Sequence, residues 1–202
     1  RVSALSDTRA YLVGFAGEVA MGDGQVKTIP GYMFAAQVAG IASGLDIGES
    51  ITFKQINIAN VKPIFEGSEL DALNNGGVIM AEFVRNRLAT KFRLVDDVST
   101  YNDKTDPVRS QLAVGEAHDF LASELKLHLD ENFIGSRTEI LSPSILKNSI
   151  QSFLDQKKRD REIQDYDPQE VQVVIDGEVA EVSLVVFPMR SLKRINVSLI
   201  YK

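Results

Sequence analysis

Polar and apolar residues alternate at the end of the chain. From Leu192, positions Lys193, Ile195, Val197, Leu199 and Tyr201 interleave with Arg194, Asn196, Ser198 and Ile200. A period of two is the signature of a β-strand. Upstream, Val171 to Ile175, the pair Asp176-Gly177 and Glu178 to Phe187 read as a hairpin closed by a two-residue Asp-Gly turn. With the last strand this predicts a terminal antiparallel β-meander. Earlier strands are expected at Tyr11 to Phe15, at Val78 to Val84 and at Lys91 to Val95. A period near 3.6 marks the helices. Tyr32, Phe34, Ala35, Val38, Ala39 and Ala42 recur at helical spacing before Gly44. Ser68 and Asp71 open a short helix that Gly76-Gly77 ends. Asp106-Pro107 and Ser142-Pro143 each place a capping side chain before a proline at the first helical position. The first of these helices is expected to run to about Gly135 on a stripe of Val114, Ala117, Leu121, Leu125 and Leu129, and the second carries Ile145, Leu146, Ser149, Ile150, Phe153 and Leu154. The fold class is therefore α/β (α+β), with long amphipathic helices packed on a mixed sheet and an antiparallel β-meander at the end.

Composition narrows the functional classes. With 202 residues, 44% hydrophobic and 25% charged, the chain is long enough for a sizeable core. A net charge of −6 gives no overall attraction to nucleic acid or to an anionic membrane surface. The absence of cysteine excludes disulfides and thiolate metal sites. No apolar run approaches the roughly 18 residues that span a bilayer. The first residue is Arg1 rather than Met, which predicts a fragment or processed product of something longer.

Candidate chemistry is sparse. Gly22-Asp23-Gly24 lacks the third glycine and the Lys-Ser ending of a phosphate loop. His118 and His128 lie ten positions apart on one expected helix, off the three-or-four spacing of a shared ligand face, and no serine triad can be built from them. Asp96-Asp97 read as a solvated strand end, because neighbours on a strand point to opposite faces. No catalytic, cofactor or metal residue is predicted. The basic cluster Lys157, Lys158, Arg159 and Arg161 has two readings: a solvated helix end that suits the helix dipole, or a docking patch for an acidic protein surface.

Several blocks carry a family resemblance. They are Tyr32-Met-Phe-Ala-Ala-Gln-Val-Ala-Gly-Ile-Ala-Ser-Gly, Ser68-Glu-Leu-Asp-Ala-Leu-Asn-Asn-Gly-Gly-Val, and the stretch from Val98-Ser-Thr-Tyr through Asp106-Pro-Val-Arg. The ending adds a helix, the charged run Asp160-Arg-Glu-Ile-Gln-Asp-Tyr, a hairpin and a last strand. In this order they resemble the contractile bacteriophage tail sheath proteins, in particular those of phages and prophages of Gram-positive bacteria. The resemblance covers nearly the whole chain and implies its C-terminal portion: residues 1–95 as the end of the middle, subtilisin-like domain and 96–202 as the C-terminal domain, the two packing as one unit.

The resemblance also implies a structural, non-enzymatic subunit. Such subunits form hexameric rings stacked around a tail tube and contract, with no nucleotide or other cofactor. It implies other sheath subunits, the tail tube protein, and the baseplate and tail terminator proteins as partners, without direct nucleic-acid or membrane contact. The expected location is the virion, after assembly in the bacterial host cytoplasm. Leu192, Lys193, Ile195, Val197, Leu199 and Tyr201 are implied as an inter-subunit strand beside the hairpin, and Lys157, Lys158, Arg159 and Arg161 as tube contacts. The same core would serve a phage, a prophage, a tail-like bacteriocin or a secretion device. A binding module or hydrolase of unrelated class remains the other class of reading.

Overall fold

A computed structural model describes residues 6–65, 67–85, 90–101, 103–136, 141–191 and 198. The chain divides into two compact units, residues 1–115 with 190–202, and residues 116–189.

In the first unit, strands β1 (Leu12–Val13), β2 (Ala16–Ala20) and β3 (Val26–Ile29) precede helix α1 (Gly31–Ser43). Then come β4 (Gln55–Ile56), β5 (Asn60–Lys62), α2 (Gly67–Asn75), β6 (Val78–Ile79), β7 (Ala81–Arg85) and β8 (Thr90–Leu94). Their pairing is mixed. β1 runs parallel to β6, β2 lies antiparallel between β3 and β5, and β8 lies antiparallel between β4 and β7. Phe34 and Val38, one helical turn apart on α1, enter the core with Phe15, Ile51, Ile56, Ile79 and Leu94. The Phe15 and Phe34 rings meet at 5.5 Å. Gly77 ends α2 in the left-handed region at φ 85°, and a Cβ there would lie 2.5 Å from the Ser99 carbonyl oxygen.

The helix expected from Pro107 to about Gly135 is two helices, α3 (Pro107–Ser110) and α4 (Leu112–Phe133). Asp106 caps α3 as expected, accepting from the amides of Val108 at 3.0 Å and Arg109 at 3.3 Å. Gln111 then turns extended, at φ −121° and ψ 134°. The cause lies outside the helix. Ser99 donates its hydroxyl to the Arg109 carbonyl at 2.5 Å and its amide to the Ser110 carbonyl at 2.9 Å. Asp97 accepts from the Ala113 amide at 3.4 Å. Groups that would have closed the next turn are thus paired elsewhere, and the helix restarts. Asp97 is fully buried, which corrects its reading as a solvated strand end.

In the second unit the remainder of α4 is followed by α5 (Pro143–Arg159), β9 (Ile163–Tyr166), β10 (Gln172–Asp176), β11 (Val179–Ser183) and β12 (Val186–Pro188). Ser142 caps α5 with Pro143 in its first turn. Leu146, Ile150 and Leu154, at four-residue spacing, are its buried face. Ile150 and Leu154 join Leu125, Ile163, Tyr166 and Val171 in a second core. β10 and β11 form the hairpin with one shift from expectation. Asp176 pairs with Val179, so Gly177 and Glu178 are the turn, and Gly177 supplies the positive φ of 60° that a type II′ first position requires. β12 does not extend this hairpin. It pairs antiparallel with β9, so the expected meander is two nested two-stranded ladders. The last strand of the expected meander, from Leu192, lies outside the described residues except for Ser198.

Gly77→Ala should lower stability by at least about 2 kcal/mol, because both the left-handed backbone and the close carbonyl oppose a side chain. A denaturant titration that leaves the unfolding midpoint unchanged would refute this account of the α2 terminus.

Candidate functional site

The basic cluster sits where α5 ends, and the backbone explains its layout. The Arg161 amide bonds the Lys158 carbonyl at 3.2 Å, and the Glu162 amide bonds the Lys157 carbonyl at 3.0 Å. These two bonds close a Schellman motif. Its left-handed position, normally glycine, is Arg161 at φ 63°. The side-chain contact that usually accompanies the motif is hydrophobic. Here it is ionic, between Lys157 and Glu162 at 2.7 Å.

The four cations have different surroundings. The Lys157 side chain is only 12% exposed, and it also pairs with Glu124 of α4. Its ammonium lies 5.4 Å from the ring centroids of both Phe120 and Phe153. Burial pulls its pKa down, but hydrogen bonds to Glu124 and Glu162 and their charges outweigh that, leaving it raised. Lys158 pairs with Asp165 at 2.7 Å, half exposed. Arg159 donates to Gln156 at 2.6 Å from an exposed position, and Arg161 is exposed. The outward positive surface is therefore Arg159 and Arg161, with Lys158 beside them, while Lys157 ties α5 to α4. Glu124 and Glu162 gave no signal in the chain order, since neither lies at a helical i,i+4 position from Lys157.

Beside the hairpin lies an open groove of about 480 Å³. Leu125, Leu129 and Phe133 of α4 line it, with Leu146 of α5 and Ile175 and Val182 of the hairpin. Val179, at the groove's edge, is 61% exposed, and Val174, outside the groove, is 59% exposed. Among the described residues β10 and β11 pair only with each other, so each keeps one unpaired edge. The inter-subunit strand residues Leu192, Lys193, Ile195, Val197, Leu199 and Tyr201 lie outside the described residues.

The histidines and the Asp96 carboxylate make local contacts. Both histidines lie on α4, where His128 Nε2 is 3.0 Å from the Ser149 hydroxyl and the ring packs on Phe153, while His118 meets Asp119 at the surface. Thr52 donates to Asp96 at 3.0 Å. Among the described residues no group of three or more acidic or histidine side chains could hold a metal ion, and no helix is long and apolar enough to cross a membrane.

Over all 202 residues the chain is 59% identical to the tail sheath protein assigned in Enterococcus phage phiEF24C and 52% identical to the tail sheath protein of Staphylococcus phage Twort. The chain is a tail sheath homologue. It spans 36% and 34% of the length of these two relatives. No protein-family model matches the chain. The sheath tail protein of Desulfitobacterium hafniense shares its fold, with a TM-score of 0.72 over 94% of this chain and 44% of that one, at 17% identity.

In this sheath homologue Tyr166 joins α5 to β9: its hydroxyl donates to Asp155 at 2.8 Å. Burial first, then Asp155, pushes its pKa up to about 12. The folded state thus holds a proton that the unfolded chain releases near 10. This contribution to stability is complete below pH 10 and is lost as the pH rises through about 12. Tyr166→Phe should cost about 1 kcal/mol at neutral pH and make the alkaline decline shallower. Thermal melts from pH 8 to 12 test this, and parallel profiles for the two proteins would refute it.

Proposed function

We propose that this chain is the C-terminal portion of a tail sheath subunit, a structural protein of the virion. Subunits would polymerise as stacked hexameric rings around the tail tube, and their contraction would drive the tube through the host envelope. The carrying observation is the identity to two phage sheath proteins across every element of the chain. Residues 1–95 are assigned to the middle domain of the subunit and 96–202 to its C-terminal domain, although compactness divides the chain after Gly115. The relatives are structural proteins, and no catalytic residue, nucleotide or metal enters this reading. The tail tube, baseplate and tail terminator proteins are the remaining partners.

The link between subunits is assigned to the strand from Leu192 to Tyr201 of one copy, added to the hairpin of another. Three features support it. The hairpin keeps unpaired edges among the described residues, its groove is largely apolar, and it carries the acidic Asp176, Glu178 and Glu181 where the proposed guest carries the basic Lys193 and Arg194. Main-chain bonding across an added strand holds while the bodies on either side reorient, which suits a contractile assembly. The tube contact is assigned to Arg159 and Arg161 with Lys158. Arg161, at the left-handed position of the helix end, and Arg159 are exposed, which leaves both side chains accessible to a partner surface. Lys157, the fourth of the tube-contact candidates, pairs with Glu124 and Glu162, which supports a part in holding the patch in place.

Full-length protein expressed alone should form rings or tubes by electron microscopy, and Val197→Pro should abolish them while leaving a folded monomer, because proline cannot donate to the added ladder. Persistent monomers of the parent would overturn the sheath reading, and normal tubes from the variant would overturn the strand assignment. Arg159→Glu with Arg161→Glu should leave sheath tubes intact yet weaken co-assembly with the tail tube, with the parent losing the same interaction at high salt. Unchanged co-sedimentation of tube with variant sheath would reduce the patch to a solvated helix end.

A further inference from the structure

The first unit carries a second open cleft, of about 650 Å³, with walls at β5 and β7. Each of these strands is the outer member of its sheet among the described residues, β5 in the order β3-β2-β5 and β7 in the order β4-β8-β7. The floor and sides are Val61, Ile64, Phe65, Leu70, Phe83 and Phe92. Ile64 is 80% exposed and Phe83 is 52% exposed. The Phe83 ring rests on Phe92 at 5.0 Å, so the surface is held in shape.

The polar groups at the cleft are already served. Glu82 accepts from Arg93 at 2.6 Å, and the Asn60 side-chain oxygen accepts from the Val61 amide at 3.0 Å. Neither aims a free charge at the cavity, so an ionic or strongly polar small molecule finds little there. What remains unsatisfied is apolar area and strand edge. Both are satisfied by one kind of guest, an extended stretch of polypeptide that pairs with an edge and turns alternate apolar side chains onto the floor.

We infer that the cleft between β5 and β7 receives an extended apolar segment from the part of the same polypeptide that lies outside these 202 residues. The chain covers 36% and 34% of its two phage relatives, so roughly two thirds of a sheath polypeptide is available to supply it. A segment tethered to the same chain binds at an effective concentration in the millimolar range, far above that of another copy in solution. Left open, the pair of edges around an exposed isoleucine and phenylalanine would be a site of edge-to-edge aggregation. β7 spans five residues, and a guest of about that length would pair along it. This inference needs the homology but not the polymerisation, so it stands or falls apart from ring formation.

The test uses the full-length protein, kept unassembled by the Val197→Pro substitution or, where that variant still assembles, by dilution. The 202 residues contain no cysteine, so Ile64→Cys is a clean reporter here once any cysteine elsewhere in the full-length chain is replaced. Its reaction with a soluble maleimide should be at least tenfold slower than that of an exposed control, Lys27→Cys. Hydrogen exchange should show that the amides of residues 81–85 on the edge facing away from β8 are also slow. With p-benzoylphenylalanine in place of Phe83, photo-crosslinking of the monomer should join position 83 to a segment of its own chain beyond these residues. Equal reaction rates at the two cysteines would overturn the inference. So would protection that arises only on assembly, which would name a second copy as guest, or a crosslink back into residues 1–202.

Discussion

Every buried backbone amide and carbonyl must find a partner, and in this chain no described sheet has more than three strands to supply one. The fold meets that demand locally with short polar side chains. The Ser99 hydroxyl takes one carbonyl at the end of α3 and its own amide takes the next, Asp97 takes an amide at the start of α4, and Ser191 accepts from the Ser50 amide at 3.1 Å while donating to the Gly48 carbonyl at 3.0 Å. The result is a buried polar layer of Ser50, Asp97, Ser99, Thr100 and Ser110 inside an otherwise apolar unit. Each member is costly unless paired and orienting once it is. Where no side chain is at hand, at β10 and β11 and at β5 and β7, the edges stay open. The same demand that breaks the helix at Gln111 thus marks the places where further chain can be added.

Electrostatics acts at shorter range and with a different purpose. A net charge of −6 spread over the chain does not decide what the end of α5 does. Its cations are sorted by solvent access. Lys157, packed between two rings and two glutamates, has an interaction that water and salt weaken little, so it contributes to holding α5 against α4. Arg159 and Arg161 stand in water, where an isolated pair is worth at most about 1 kcal/mol and where a partner surface would have to add several contacts at once. A cluster that reads as one patch along the chain is therefore a structural anchor next to an available surface.

Much of the architecture was legible because its causes are local. Asp106-Pro107 and Ser142-Pro143 mark helix starts through atoms within one turn, and both helices begin there. The hairpin follows from alternation around a glycine, but its turn moved by one residue, because Gly177 takes the first turn position rather than the second, and its second arm ends at Ser183 instead of Phe187. The family was legible too, from the order of several short blocks rather than from any one of them.

What stayed hidden depends on residues distant in the chain. Nothing near Gln111 announces a break, since the groups that compete for the helix ends belong to Asp97 and Ser99. Nothing near Lys157 names Glu124 as its partner, and Asp97 reads as solvated until α4 is laid over it. β12 returns to β9 instead of extending the hairpin, a choice made by packing rather than by its own three residues. By itself the sequence determined the capped helix starts, the hairpin and the family, because propensity, capping and period act between near neighbours, while the short strands β2, β3, β4, β5 and β9 carry too little pattern to be read from it. Only the tertiary structure decided which cation is buried, which carboxylate is a cap and which strand edges remain unpaired, because each depends on hydrogen bonds and burial that exist only once distant segments meet.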